Sequence, residues 1–362
     1  MGFHMHAMNR SALGALVAAA ALAGCGGGGG PAAPTNPPAS TAPTELLSTT
    51  GLYTDIARKQ VDARNLPWQP QYPLWSDAGS KERWIRLPAG TRIDTSNMDR
   101  WVFPVGTKFY KEFSFVGRRV ETRIIEKVAA EPSINSWTFK AFQWRADESD
   151  AVLVGAAGVP NAAPTSLGTQ HDIPSLEHCR ACHTRGGDAV NGFEALQLSA
   201  DHDPMAVDAA RLEPGDVTTE ELERQNLITN APDRDPRIVS STPVGRWAMG
   251  FLHGNCSNCH NPQGPAAISG LDTRHTHSAQ REEDEPTYRT SVNQLTQVYE
   301  MPGTRLGTDS FRIVGGSPER SAVLFRLSSR GSFNQMPPIA TKATDPESMA
   351  LVSEWIRRLP PR

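Results

Sequence analysis

The sequence predicts a multi-domain chain in which a β-rich N-terminal sandwich or barrel is followed by α-helical domains. Three observations lead there. From about 46 to 167, short runs of β-branched and aromatic residues are broken by Gly and Pro turn signals. Beyond 168 the pattern changes to capping signals and apolar spacings of three and four. Four of the five cysteines fall in that second part, in two copies of one short motif. A length of 362 residues allows two or three domains at roughly 100–200 residues each.

Residues 1–24 read as an export signal, with Arg10 ahead of the apolar stretch Ala12–Ala23 and small residues at the processing site. The stretch is shorter than the roughly 20 apolar residues that a membrane span requires. Leu22-Ala23-Gly24-Cys25 resembles a bacterial lipobox, which implies cleavage before Cys25 and acylation of its sulfur and new amino group. An ordinary secretory peptide is the alternative. Residues 25–45 form a Gly/Pro-rich linker without apolar periodicity. From Gly26 to Thr44 it would span about 24 Å as a coil and about 59 Å as polyproline II. A non-Asp residue at position 26 resembles lipoproteins sorted to the outer membrane. The expected address is therefore a periplasm-facing lipoprotein, on the outer rather than the inner membrane, anchored through Cys25. The formal charge is −3, or −4 once Arg10 leaves with the signal, and no basic tract is present, so nucleic acid is excluded as a partner.

The β-rich module is assigned to 46–167. Lys81-Glu82-Arg83-Trp84-Ile85-Arg86-Leu87 ends at the turn Pro88-Ala89-Gly90. Trp101-Val102-Phe103-Pro104-Val105-Gly106 leads into Phe109, Tyr110, Phe113 and Phe115, and Val120, Thr122 and Ile124 alternate with Glu121 and Arg123. Trp137–Trp144 alternates similarly. Trp68, Tyr72 and Trp75 look exposed enough to touch a ligand, although core or inter-domain packing is the simpler reading.

The remaining segments each carry one copy of the cysteine motif: 168–241 holds Cys179-Arg180-Ala181-Cys182-His183, and 242–362 holds Cys256-Ser257-Asn258-Cys259-His260. C-x-x-C-H is the attachment signature of c-type haem. Two thiols three residues apart can each bond a vinyl group at one porphyrin edge, and the adjacent His then supplies a nitrogen to iron. A zinc site would need further thiolates or spaced histidines, and a redox dithiol would not require the His. Two covalently bound haems c are expected, with His183 and His260 as proximal ligands.

Thr218 carries a capping signal, Thr242-Pro243 starts a helix running into Cys256, and Asp345-Pro346 starts another on which Met349, Val352, Ile356 and Leu359 recur. Between them stands Met336-Pro337-Pro338. Met336 is the expected distal ligand of the second haem, where a thioether raises the potential relative to a second imidazole. For the first haem the candidates are His202 or Met205, followed by His171, Met249 and His253, or an open position.

A helix entering C-x-x-C-H, a Met-Pro loop and a terminal helix resemble a class I cytochrome c domain, which implies crossed terminal helices with Gly250 or Gly254 in close approach opposite Trp355. Tyr72-Pro73-Leu74-Trp75-Ser76-Asp77, Trp101 to Thr107, His171-Asp172-Ile173-Pro174-Ser175 and Asn255 to Pro262 occur in an order that resembles bacterial di-haem c-type cytochromes with a β-rich N-terminal module. Similar modules occur fused to quinoprotein sugar-dehydrogenase-like domains. The resemblance implies single-electron transfer from a periplasmic donor of that kind to a membrane or terminal acceptor, by a carrier rather than an enzyme. A di-haem peroxidase is the second reading, although the 77 residues from Cys179 to Cys256 are short for two full domains of that type. A haem-linked ligand-binding or redox-sensing module is the third.

Overall fold

The computed structural model describes residues 45–184, 187–205 and 212–362, all within one compact unit, Thr44–Arg362. The export signal, Cys25 and the linker up to Thr44 lie outside the described residues.

A two-stranded ribbon, β1 (Tyr53–Asp55) with β2 (Gln60–Val61), precedes the main sheet. That sheet is an antiparallel meander in sequence order: β3 (Leu66–Pro67), β4 (Ser80–Arg86), β5 (Lys108–Phe115), β6 (Arg118–Lys127), β7 (Trp137–Trp144) and β8 (Ala151–Leu153). A second ribbon pairs β9 (Val159–Pro164) with β10 (Gln170–Ile173).

Alternation along these strands sends side chains to two faces, and both are covered. On one face Trp84, Tyr110, Ile124 and Phe142 pack against Leu47, Leu52 and Tyr53 from the segment ahead of the sheet. On the other, Ile85, Phe109 and Trp137 pack against Trp68, Phe103, Phe193, Leu198, Leu222 and Ile228. Asp188 enters this second core and meets Lys127 at 2.6 Å, while also accepting from Trp137 Nε1 and the Phe103 amide.

The helices are α1 (Leu176–Cys182), α2 (Thr219–Arg224), α3 (Pro243–Cys256), α4 (Pro286–Ser291), α5 (Ala322–Ser328) and α6 (Pro346–Arg358). Thr218, Thr242 and Asp345 each cap one of them by accepting from a backbone amide three residues on. α3 and α6 share a core of Val244, Trp247, Ala248 and Leu252 with Val352, Trp355 and Ile356. Among the described residues no helix is long and apolar enough to cross a membrane.

These observations overturn the expected fold class. The main sheet does not close, and no full second sheet faces it. Its faces are covered by short ribbons, with Tyr53 and Val61 of β1–β2 on one and Ala162, Ala163 and His171 of β9–β10 on Phe113 and Phe115, and by irregular chain and α2 carrying Phe193, Leu198 and Leu222. Nor are α-helical c-type cytochrome domains formed, including the class I-like last one. Four of the six helices have only six or seven residues, and β structure dominates the first half. Between α3 and α6, Pro262, Gly264, Pro265, Gly270, Pro302, Gly303, Gly307, Gly315, Gly316, Pro318 and Gly331 break the backbone too often for longer helices.

Gly250 and Gly254 also serve a different neighbour from the one expected. A Cβ on Gly250 would lie 2.2 Å from the Tyr72 ring, and one on Gly254 would lie 2.2 Å from the Tyr72 carbonyl oxygen. Tyr72 therefore lies directly on α3, and its hydroxyl donates to Asp203 at 3.1 Å. Trp68 and Tyr72 are buried packing residues, and Trp75 donates its indole N–H to the Ala343 carbonyl.

Candidate functional site

Both C-x-x-C-H motifs begin on helices held from outside. Ser175 caps α1 by accepting from the His178 amide at 3.2 Å, and Cys179 and Cys182 follow one turn apart. His183 ends the helix, its amide donating to Cys179 O. At the second motif α3 delivers Cys256. The amides of Cys259 and His260 both return to the Cys256 carbonyl, at 3.1 and 2.8 Å, so the turn continues through the motif.

The ring hydrogen bonds decide the tautomer of each histidine. His183 Nδ1 lies 2.6 Å from the Ala189 carbonyl oxygen, which can only accept. Nδ1 therefore carries the proton and Nε2 has a free lone pair. His260 Nδ1 lies 3.1 Å from Ser269 Oγ. That hydroxyl gives its own hydrogen to Ala266 O at 2.7 Å, so it accepts from His260 and again leaves Nε2 bare. A second partner that fixes the ring and its tautomer is what metal-ligating histidines have. Burial holds both imidazoles neutral, with pKa values lowered to about 4; Arg326 and Arg312 add to the effect at His260.

The four motif cysteines are free thiols. Burial, with Cys259 adding to it, raises Cys182 to about 11 and Cys256 to about 12. Redox dithiols have depressed values instead. Among the described residues no group of three or more His, Cys, Asp or Glu could hold a metal ion, so a tetrahedral zinc site lacks its ligand set. Both motifs lie within one compact unit.

Beside the second motif is a slot of about 90 Å³ lined by Cys256, His260, Leu252, Leu327, Tyr299 and Met336. His260 and Met336 thus share one cavity. Met336 is pinned by its amide donating to Arg326 O at 3.1 Å, and Gln335 ties the loop to Pro337 O and Thr341 O. Arg312 and Arg326 supply positive charge to the slot, and Thr273 Oγ1 on its wall lacks a hydrogen-bond partner. The donor set fits a haem, with a free imidazole nitrogen, a thioether, two thiols, cations for carboxylates and apolar walls. The walls must part to take a porphyrin plane.

No family model matches the chain, and neither the curated proteins nor the solved structures contain a match to it.

The candidates for the sixth position at the first motif separate by environment. Met205 packs on the core that contains α3 and Cys256, and Met249 is fully buried in that core. His253 has both ring nitrogens engaged, Nδ1 accepting from the His275 amide at 2.9 Å and Nε2 facing Glu194 at 2.5 Å. His171 faces Glu121 at 2.8 Å and lies against Phe115. His202 Nε2 is buried without a hydrogen-bond partner, and burial lowers its pKa.

Sequence reasoning missed two features. One is the set of cations on β4, β5 and β6 that faces the first motif. The other is a cavity of about 490 Å³ into which His253, His275 and Glu194 project, with the Glu285 carboxylate holding His275 Nδ1. A basic residue within each of three successive strands was the available signal for the first. For the second, residues distant in sequence assemble the wall, and no local pattern announces it.

Proposed function

We propose that this chain carries two covalently attached haems c and relays single electrons between a periplasmic donor and a membrane or terminal acceptor. The observation that carries the reading is the pair of C-x-x-C-H motifs, each with its histidine held in the Nδ1–H tautomer and a bare Nε2. Cys179, Cys182, Cys256 and Cys259 would hold the two haems covalently, each S–H adding across one vinyl double bond with sulfur on one carbon and hydrogen on the other. His183 and His260 would hold iron through Nε2, and Met336 would supply a thioether from the slot it shares with His260. Bound haem supplies reversible one-electron chemistry at iron, while the protein sets potential, spacing and access. Burial of both motifs in one compact unit favours a short path between them.

The resemblance to di-haem cytochromes with a β-rich module suggests a quinoprotein-type dehydrogenase as donor. The lipobox at Cys25 suggests a membrane-anchored, periplasm-facing carrier, with the outer membrane preferred. Acyl chains at Cys25 would give stable anchoring where one chain alone would not.

Intact mass after acid–acetone extraction should show two haem adducts, and a redox titration should resolve two one-electron centres. Loss of all chromophore on extraction would end the proposal. Peroxide turnover at a high-spin first haem would replace the carrier with a peroxidase.

A further inference from the structure

We infer that the cation row Arg83–Lys111–Arg123, with Lys81 beside it on the same sheet face, is an oxyanion site that takes the carboxylates of the haem attached at Cys179 and Cys182. The inference rests on the reading of that motif given above and extends it by making the β-sheet one wall of the cofactor site.

Strand register carries the argument. Arg83 on β4 is directly opposite Lys111 on β5, and Lys111 is directly opposite Arg123 on β6. Like charges placed opposite one another destabilise a sheet. At about 4.8 Å between strands, the row is about 10 Å across. Apolar neighbours flank it on the same face, with Ile85, Phe109 and Ile125 on one side and Phe113 on the other.

Neutralisation within the protein is incomplete. Arg123 pairs with Glu121, but Glu121 also serves His171. Arg83 donates to Gln69 Oε1 and Lys81 to the Leu74 carbonyl, both uncharged acceptors. Lys111 has neither a hydrogen bond nor an ion pair among the described residues and stands 4.8 Å over the Phe113 ring. Asp216 near Arg83, and Asp77 and Asp345 near Lys81, are outside ion-pair distance. Burial, with neighbouring cations adding to it at the lysines, brings Lys81 down to about 7 and Lys111 well below its ordinary value; burial alone brings Arg83 to about 10. Such a row is stabilised by an anion.

Proximity to the motif is graded along the row. The His183 ring packs on Phe139 of β7 at 5.2 Å between centroids, Arg123 is directly opposite Ala141 on that strand, and Lys111 and Arg83 follow one and two strands farther off. The row thus begins on the side of the motif and runs outward. A haem bonded through its vinyl edge carries its carboxylates on the opposite edge, so cations laid outward from the motif suit it.

The test is Lys111→Met in the full di-haem chain, with Lys108→Met on the opposite sheet face as control. In the di-haem protein Lys111→Met should shift the propionate bending band in resonance Raman spectra and lower the Tm by about 2 °C. In a chain also carrying Cys179→Ala and Cys182→Ala the same substitution should raise the Tm, because only repulsion is removed. An unshifted band with a raised Tm in the di-haem protein overturns the inference. So does an unshifted band together with Lys111-dependent stabilisation of the Cys179→Ala/Cys182→Ala chain by inorganic phosphate, which assigns the row to a free oxyanion. Should that chain not fold, the Raman band alone decides. If intact mass shows no adduct at the first motif, the haem reading itself fails and takes this inference with it.

Discussion

Lys127 and Asp188 form an ion pair at 2.6 Å in the core between the sheet and the 189–228 segment, with side chains 0% and 1% exposed. Asp188 further accepts from the Phe103 amide and from Trp137 Nε1. It is the polar hub that fixes the segment after the first C-x-x-C-H motif on the sheet, five residues from His183.

Breaking that hub should be costly, and unequally so. Removing one partner of a buried pair typically costs about 3–5 kcal/mol because a bare charge remains. Lys127→Met leaves Asp188 with two N–H donors, so its cost should sit near the lower end. Asp188→Leu strands the ammonium and both N–H groups, each unmet donor adding about 1–3 kcal/mol. Urea denaturation should therefore rank Asp188→Leu as clearly less stable than Lys127→Met. Equal midpoints would contradict the hub.

Gly250→Ala tests the docking of Tyr72 on α3. In an unconstrained helix Ala is better than Gly by about 1 kcal/mol. Here its Cβ would sit 2.2 Å from the Tyr72 ring, so the sign should reverse and stability should fall. Tyr72→Ala costs stability by itself but should make Gly250→Ala nearly neutral in a double-mutant cycle. Additive effects would show that the two residues do not meet.

Lys81 makes the pH dependence of stability legible. Burial first, then Arg83 and Arg123, lowers its folded pKa from 10.5 to about 7. Below about pH 7 it is charged in both states, and the folded chain bears the full penalty. Between about 7 and 10.5 the unfolded chain binds more protons than the folded one, so stability from this group rises with pH. A chain without the first haem should show that gain in denaturant midpoints, and Lys81→Met should remove it. An unchanged slope in the variant would reject the assignment.

Much of this was readable in the chain because the signals are local. Alternation at 81–87, 108–115 and 118–127 marks strands, Thr218, Thr242 and Asp345 mark helix starts, and C-x-x-C-H puts its chemistry in five consecutive residues. What failed was the partner of each buried face. Ile85, Phe109 and Trp137 announce that they are covered, but nothing in them says whether a second sheet or irregular chain does so. Gly250 announces a close approach, not that Tyr72, 178 residues earlier, makes it. Arg83, Lys111 and Arg123 are single charges on three separate strands, and nothing local to any of them says that they share a row. Only the register shows them lined up across three strands.

Met336 offers the sharpest test at the second motif. It lines the slot with His260, on a loop held by Arg326 and Gln335. A thioether stabilises ferrous iron, so its loss should lower the potential of that haem. Met336→Ala should abolish the near-infrared sulfur-to-iron band of the oxidised protein and lower one of the two midpoint potentials, leaving the other in place. Because the backbone of the loop makes its own hydrogen bonds, the two haem adducts should persist by mass. A band that survives the substitution would remove Met336 from the iron and leave it as a packing residue of the slot.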